Sequence, residues 1–233
     1  MSKLVAFILG AGTHVGAAVA AKLHKNGYQV ALGSRNPKQE GSDGTYFNVK
    51  LDVQSRESIE SAFDTVVKNL GPVNVVVYNA ASRVGPTDPN EFLSVPIEAY
   101  QDAASIGVGG FIAAHKALAS FRSEVHKENP KVFIVTGNLL PFEQYNPPGF
   151  FTLGAQKALL SRFVATASQS YQNENIQFYY ATQSSETGTH PGPENFAKGA
   201  QAHADVYWKL INNKKQGDWN HQFTLDGKAY PHA

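Results

Sequence analysis

Residues 4–16 read Leu4-Val5-Ala6-Phe7-Ile8-Leu9-Gly10-Ala11-Gly12-Thr13-His14-Val15-Gly16, and this stretch decides the fold. Residues 4–9 form an apolar run of strand length that stops at glycine, the pattern of a buried strand. A helical pattern over 15–26 follows, with Gly27 placed as its C-cap. Glycine between such elements lets the turn be tight and lets backbone approach a pyrophosphate closely. The start of the helix then offers free N–H groups and the positive end of its dipole. Gly10, Gly12, Thr13, His14, Val15 and Gly16 are therefore expected to bind a dinucleotide; the alternative is a βα turn with no ligand. Lys3 before the apolar run gives a superficial likeness to a signal peptide. The run is too short for one and no small-residue cleavage pattern follows.

Working outward, further strands are expected over 28–32, 45–51, 73–78, 131–135, 176–181 and 221–225. Helices are expected over 55–69, 96–125, 152–172 and 194–212, the second interrupted by Gly107, Gly109 and Gly110. Ser55 with Ser58 supplies N-capping chemistry. Strands separated by helices predict an α/β fold, a Rossmann-type doubly wound parallel sheet of about seven strands with helices on both faces. Residues 1–233 read as a single domain. The irregular segments follow strand ends, where such sheets bind ligands, so substrate loops are expected around 83–95, 139–151 and 183–196.

A NAD-selective site carries an acid about 20 residues beyond the glycine turn. Here the second strand ends Leu32-Gly33-Ser34-Arg35-Asn36, and the first acid is Glu40. Ser34 and Arg35 can bind a 2′-phosphate, Arg through a charge-assisted contact. The sequence thus favours NADP(H) over NAD(H); the alternative is a solvated Arg35.

Lys and Arg number 20 against 19 acids, a net charge of +1. That balance speaks against nucleic acid and anionic membranes as partners. Charged residues make up 17% and apolar residues 42%, which argues against disorder. There is no cysteine, hence no disulfide and no thiolate catalysis, and a cytoplasmic location is expected. No apolar run approaches the roughly 20 residues of a membrane span. No pair of the eight histidines has the i, i+4 spacing of the common zinc motif, and no metal is expected. No Gly-x-Ser-x-Gly elbow marks a hydrolase. Phe196, Tyr207 and Trp208 can form core or line a pocket for a bulky apolar substrate, and His115 reads as a packing residue.

Almost the whole chain resembles the short-chain dehydrogenase/reductase family. The resemblance rests on the glycine turn from residue 10, Asp52-Val53 after the third strand, Asn79-Ala80-Ala81 after the fourth, and Lys157-Ala158-Leu159 in the long helix. It implies adenine contact at Asp52 and Val53, cofactor contact at Asn79, Ala80, Ala81 and Lys157, and a homodimer or homotetramer through the two long helices. The small residues Ala113, Ala114, Ala117, Ala155, Ala158 and Ala165 suit such contacts or packing on their own sheet. The chain also departs from the family. His14 stands at the middle glycine, and Leu153 at the tyrosine four before the lysine. Thr136-Gly137-Asn138 stands at the serine, and Gln183-Ser184 at the Pro-Gly.

Two functions remain open at this point. One is an NADP(H)-dependent reductase of a carbonyl or alcohol in a small, possibly apolar substrate, with a substituted proton donor. Its catalytic candidates are Lys157, Asn138 as a carbonyl polariser, and Tyr145 as the only phenol in the loop after the fifth strand. The other is an inactive NADP(H)-binding regulator or sensor of the same fold. Both Asn138 and Tyr145 also have plain readings, a turn residue and a loop aromatic packed on Pro147 or Phe150.

Overall fold

The computed structural model describes residues 3–143 and 147–230. Its strands are β1 (Val5–Leu9), β2 (Gln29–Ser34), β3 (Gly41–Ser42), β4 (Phe47–Lys50), β5 (Val75–Tyr78), β6 (Val132–Thr136), β7 (Gln177–Gln183) and β8 (Asn220–Phe223). The helices are α1 (Val15–Lys25), α2 (Arg56–Leu70), α3 (Ile97–Phe121), α4 (Phe151–Ser170), α5 (Pro193–Lys198) and α6 (Ala200–Ile211). One sheet joins all the strands in the order β3-β4-β2-β1-β5-β6-β7-β8. Every pairing is parallel except β3 with β4. The sheet therefore has eight strands rather than about seven. The addition is the two-residue β3, too short for any periodicity to announce.

β1, β5, β6 and β7 are buried throughout, as expected of strands covered on both faces. One core lies under α2, α3 and α4 and includes Phe7, Phe63, Tyr78, Phe133 and Leu160. The other lies under α1 and α6 and includes Ile8, Val19, Leu23, Ile134 and Tyr207. Asn74, in an otherwise apolar run, joins the ends of three strands. Its Oδ1 accepts from Val5 N at 2.8 Å and its Nδ2 donates to Pro130 O at 3.0 Å. The expected caps form: Ser55 Oγ accepts from Ser58 N at 3.1 Å, and Gly27 takes φ 86° after α1.

Two helices differ from expectation. α3 runs unbroken through Gly107, Gly109 and Gly110. A Cβ on Gly109 would collide with Val53 O and the Tyr78 hydroxyl, and one on Gly110 with Leu160. These glycines bring the helix close to β5 and let Tyr78 OH donate to Ile106 O at 2.6 Å. α3 is also long and apolar enough to cross a membrane by length and composition, which the sequence reading missed; half of that window is buried inside the protein. The helix expected over 194–212 breaks at Gly199 into α5 and α6, and the Gln183 side chain occupies the space a Cβ at 199 would need. Ala113, Ala114 and Ala117 are buried in their own domain's core, whereas Ala155 and Ala158 line a groove between α3 and α4.

Gly109→Ala is expected to lower unfolding free energy by about 1–3 kcal/mol through overpacking against rigid backbone. Gly149→Ala, with nothing within 4 Å of its Cβ, should stay near wild type in the same denaturant titration.

Candidate active site

The strand order reverses between β1 and β5, so a crevice opens at their carboxyl ends. The Gly10 turn enters it. Gly10 has φ +81°, and a Cβ there would press on Ala80 backbone at 2.7 Å, so both conformation and space demand glycine. Gly12 is different: its φ is ordinary and nothing lies within 4 Å of its would-be Cβ. No protein neighbour explains that glycine, and its open side faces the cleft. The backbone N–H groups of Thr13, His14, Val15 and Gly16 have no protein acceptor among the described residues. This is the donor array an anion at a helix N-terminus requires.

The cleft beside the turn measures about 690 Å³. Ser34, Arg35, Asp52 and Val53 line its outer end, and Asn79, Ala80, Ala81, Val84 and Ile106 its inner part. Arg35 is exposed and enters no ion pair among the described residues. Asp52 Oδ1 accepts from Gln54 N at 3.0 Å, while its backbone N–H donates to Ser58 Oγ at 2.9 Å.

Asn79 is a strut across the crevice. Its Nδ2 donates to Gly10 O at 2.9 Å, and its Oδ1 accepts from Thr136 Oγ1 at 2.9 Å. Tyr207 OH in turn donates to Thr136 Oγ1 at 2.9 Å. Lys157 meets the same threonine from α4, its Nζ donating to Thr136 O at 2.6 Å. Lys157 is 3% exposed, so it is no surface lysine, and burial pushes its pKa down to about 8. Burial likewise raises the Tyr207 and Tyr180 phenols.

Leu153, partly buried, precedes Lys157 by one helical turn and offers no ionisable group. Asn138 Oδ1 accepts from Leu140 N at 3.2 Å, closing its own turn, and its backbone exchanges two 3.1 Å bonds with Tyr180 OH. Its Nδ2 keeps no acceptor among the described residues and remains free to polarise an oxygen. Tyr145 lies outside the described residues. His14 turns away from the cleft, and Nε2–H donates to Ala197 O at 2.8 Å.

The sequence singles out Thr152 only as a residue beside the loop that follows the fifth strand, and Gln156 not at all. Gln156 and Thr152, buried one turn apart on α4, clamp the segment after β5. Gln156 Oε1 accepts from Ser82 N at 3.1 Å while its Nε2 donates to Ser82 O at 2.7 Å. Thr152 Oγ1 both accepts from Val84 N and donates to Val84 O, each at 2.9 Å. Polar side chains at i, i+4 on an otherwise apolar helix face were the available signal. At the end of β7, Thr182 Oγ1, Gln183 Oε1 and Ser184 Oγ are buried without a hydrogen-bond partner among the described residues. Thr182 Oγ1 lies against Gly137 and Gln183 Oε1 against Gly199, so these atoms pack on backbone and do not line the cleft. The open side of Gly12 and the N–H groups after it make the residues present compatible with the diphosphate of a dinucleotide.

The comparisons with known proteins agree with this geometry. A family model described as Enoyl-(Acyl carrier protein) reductase matches residues 10–184. The short chain dehydrogenase/reductase dmxR12 of Cryptosporiopsis sp. (strain 8999) is 30% identical over 241 residues, covering 99% of this chain and 95% of that protein. A metagenomic short-chain oxidoreductase solved in complex with NADP superposes with TM-score 0.76 at 16% identity, over 96% of this chain and 98% of its own. NADH-dependent reductase A1-R′, complexed with NAD, gives 0.75 at 14%, over 97% and 96%. The chain belongs to the short-chain dehydrogenase/reductase family. It is an oxidoreductase with a nucleotide-binding Rossmann fold.

His203, beneath the site, donates from Nδ1 to Gly199 O at 2.8 Å, and burial pushes its pKa down from 6.5 to about 4. The folded state then binds fewer protons than the unfolded one, so this contribution is complete above pH 6.5 and lost on falling towards pH 4. The loss should reach about 3 kcal/mol. Denaturant titrations at pH 7 and pH 4.5 should show a smaller pH dependence for His203→Gln than for wild type.

Proposed function

We propose that the chain reduces a carbonyl with NADP(H), using a proton donor other than the family's tyrosine. The observation that carries this reading is Lys157 Nζ, buried and fixed 2.6 Å from Thr136 O, at the inner end of the strut that reaches the glycine turn. An ammonium there has two further hydrogens to offer beyond the one given to Thr136. With a pKa of about 8 it is protonated at neutral pH yet acidic enough to release a proton to an oxygen that gains charge. Asn138 Nδ2 suits that oxygen as a second donor. The bound nicotinamide supplies the hydride. Gly12 and the free N–H groups after it suit the diphosphate, and Asp52 and Val53 suit the adenosine.

Ser34 and the unpaired Arg35 support NADP(H): a 2′-phosphate would find a free cation there, whereas no acid ends β2 to hold a bare ribose. Structural relatives are seen with either cofactor, so the choice is this chain's own. Val84, Ala80 and Ile106 favour a small apolar substrate at the inner cleft. A second copy would cover the groove between α3 and α4, where Val108, Phe111 and Leu159 are exposed; size-exclusion chromatography with light scattering should return a dimer or tetramer.

Leu153 in place of a phenol favours one second reading, an NADP(H)-binding regulator without turnover. Sustained NADPH oxidation by purified protein across a panel of aldehydes and ketones rejects it, whereas tight binding with no turnover rejects the reductase. For a reductase, kcat should fall as pH rises through about 8, when Lys157 loses its proton. Lys157→Met should cost roughly 10²–10⁴-fold in kcat. Tyr145→Phe discriminates further: unchanged turnover removes that phenol from the chemistry. Arg35→Ala should weaken NADPH binding about tenfold or more while leaving NADH nearly unaffected, read by fluorescence titration.

A further inference from the structure

His14 stands where the family's turn has a glycine, and its side chain does something no glycine can. Nε2–H reaches the carbonyl of Ala197 at 2.8 Å, across 183 residues of sequence. The imidazole also lies 5.4 Å from the ring of Phe196. Both partners belong to α5, a six-residue helix set between Gly192 and Gly199. Gly192 has φ +79°, so the segment enters through a conformation that favours glycine.

The residues on either side of Ala197 are held by other means. Gln183 Nε2 donates to Asn195 O at 3.0 Å, and His203 Nδ1–H holds Gly199 O at 2.8 Å. These bonds root α5 at the end of β7, beside the orphaned Thr182, Gln183 and Ser184 oxygens. Among the described residues, only the His14 bond joins α5 to the phosphate turn. α5 thus links the end of β7 to the glycine turn.

We infer that His14 is a positioning residue: it fastens α5 to the diphosphate turn, so the segment that follows β7 takes its place from the same backbone that would grip the phosphates. The inference rests on the dinucleotide reading and adds a coupling to it. The bond is partly solvated, so it biases α5 rather than locking it. Removing the donor loosens α5 at Ala197, between the bonds at Asn195 and Gly199 that stay intact.

Two variants separate the bond from the bulk. His14→Phe keeps a ring against Phe196 and loses the donor; His14→Gln keeps a donor at a comparable reach. Trypsin cleavage after the exposed Lys198, whose neighbour Gly199 is buried in the folded protein, followed by mass spectrometry of the apo proteins, should run roughly three- to tenfold faster for His14→Phe and near the wild-type rate for His14→Gln. Stopped-flow release of NADPH should speed up by a similar factor for His14→Phe alone. Cleavage and release both at the wild-type rate in His14→Phe would overturn the inference, as would a His14→Gln protein as impaired as His14→Phe. If wild-type protein takes up neither NADPH nor NADH, the dinucleotide reading fails, and the apo cleavage ratio at Lys198 still decides whether His14 holds α5.

Discussion

The site depends on a single side chain, Asn79, that spans the crevice where the sheet reverses direction. Parallel strands end in carbonyls and N–H groups with no further strand residue to pair them, and a crevice between two strand ends widens readily. Asn79 closes it with one amide, giving a hydrogen to Gly10 O and taking one from Thr136 Oγ1. The glycine turn and the end of β6, whose Thr136 O accepts from Lys157, are thereby tied together. Tyr207, rising from α6 on the other face of the sheet, completes the fourth corner of this buried network. Such networks hold geometry well when every member is satisfied, and leave a costly orphan when one is removed.

The fold was legible because it is written locally. The run over residues 4–16 carries its own punctuation, and strands covered on both faces announce themselves as unbroken apolar stretches. Ser55 and Gly27 are caps whose chemistry acts within four residues, so they were read correctly. The misreadings have one cause. Gly109 and Gly199 look identical as letters, yet one permits close packing inside a continuous helix and the other breaks one. At both, a Cβ would collide with a group distant in sequence, Val53 O or the Gln183 side chain. Tertiary contact decided both.

The site was legible only in part for the same reason. The glycine turn and Arg35 are read from position relative to strands, and Asp52 and Lys157 from the family resemblance. The partners that set their behaviour could not. Nothing near residue 157 says that its amine ends on Thr136 O, and nothing near residue 14 points to Ala197. Asn138 illustrates a middle case, since a turn asparagine can spend its oxygen on its own backbone and still keep its amide hydrogens available.

The clamp formed by Thr152 and Gln156 has an evolutionary consequence. These side chains grip only the main-chain atoms of Ser82 and Val84, as a neighbouring strand would. The path of the chain past the inner cleft therefore depends little on the side chains at 82 and 84, provided neither is proline, whose missing N–H would break the clamp. Side chains lining the cleft there can change without losing the scaffold that displays them.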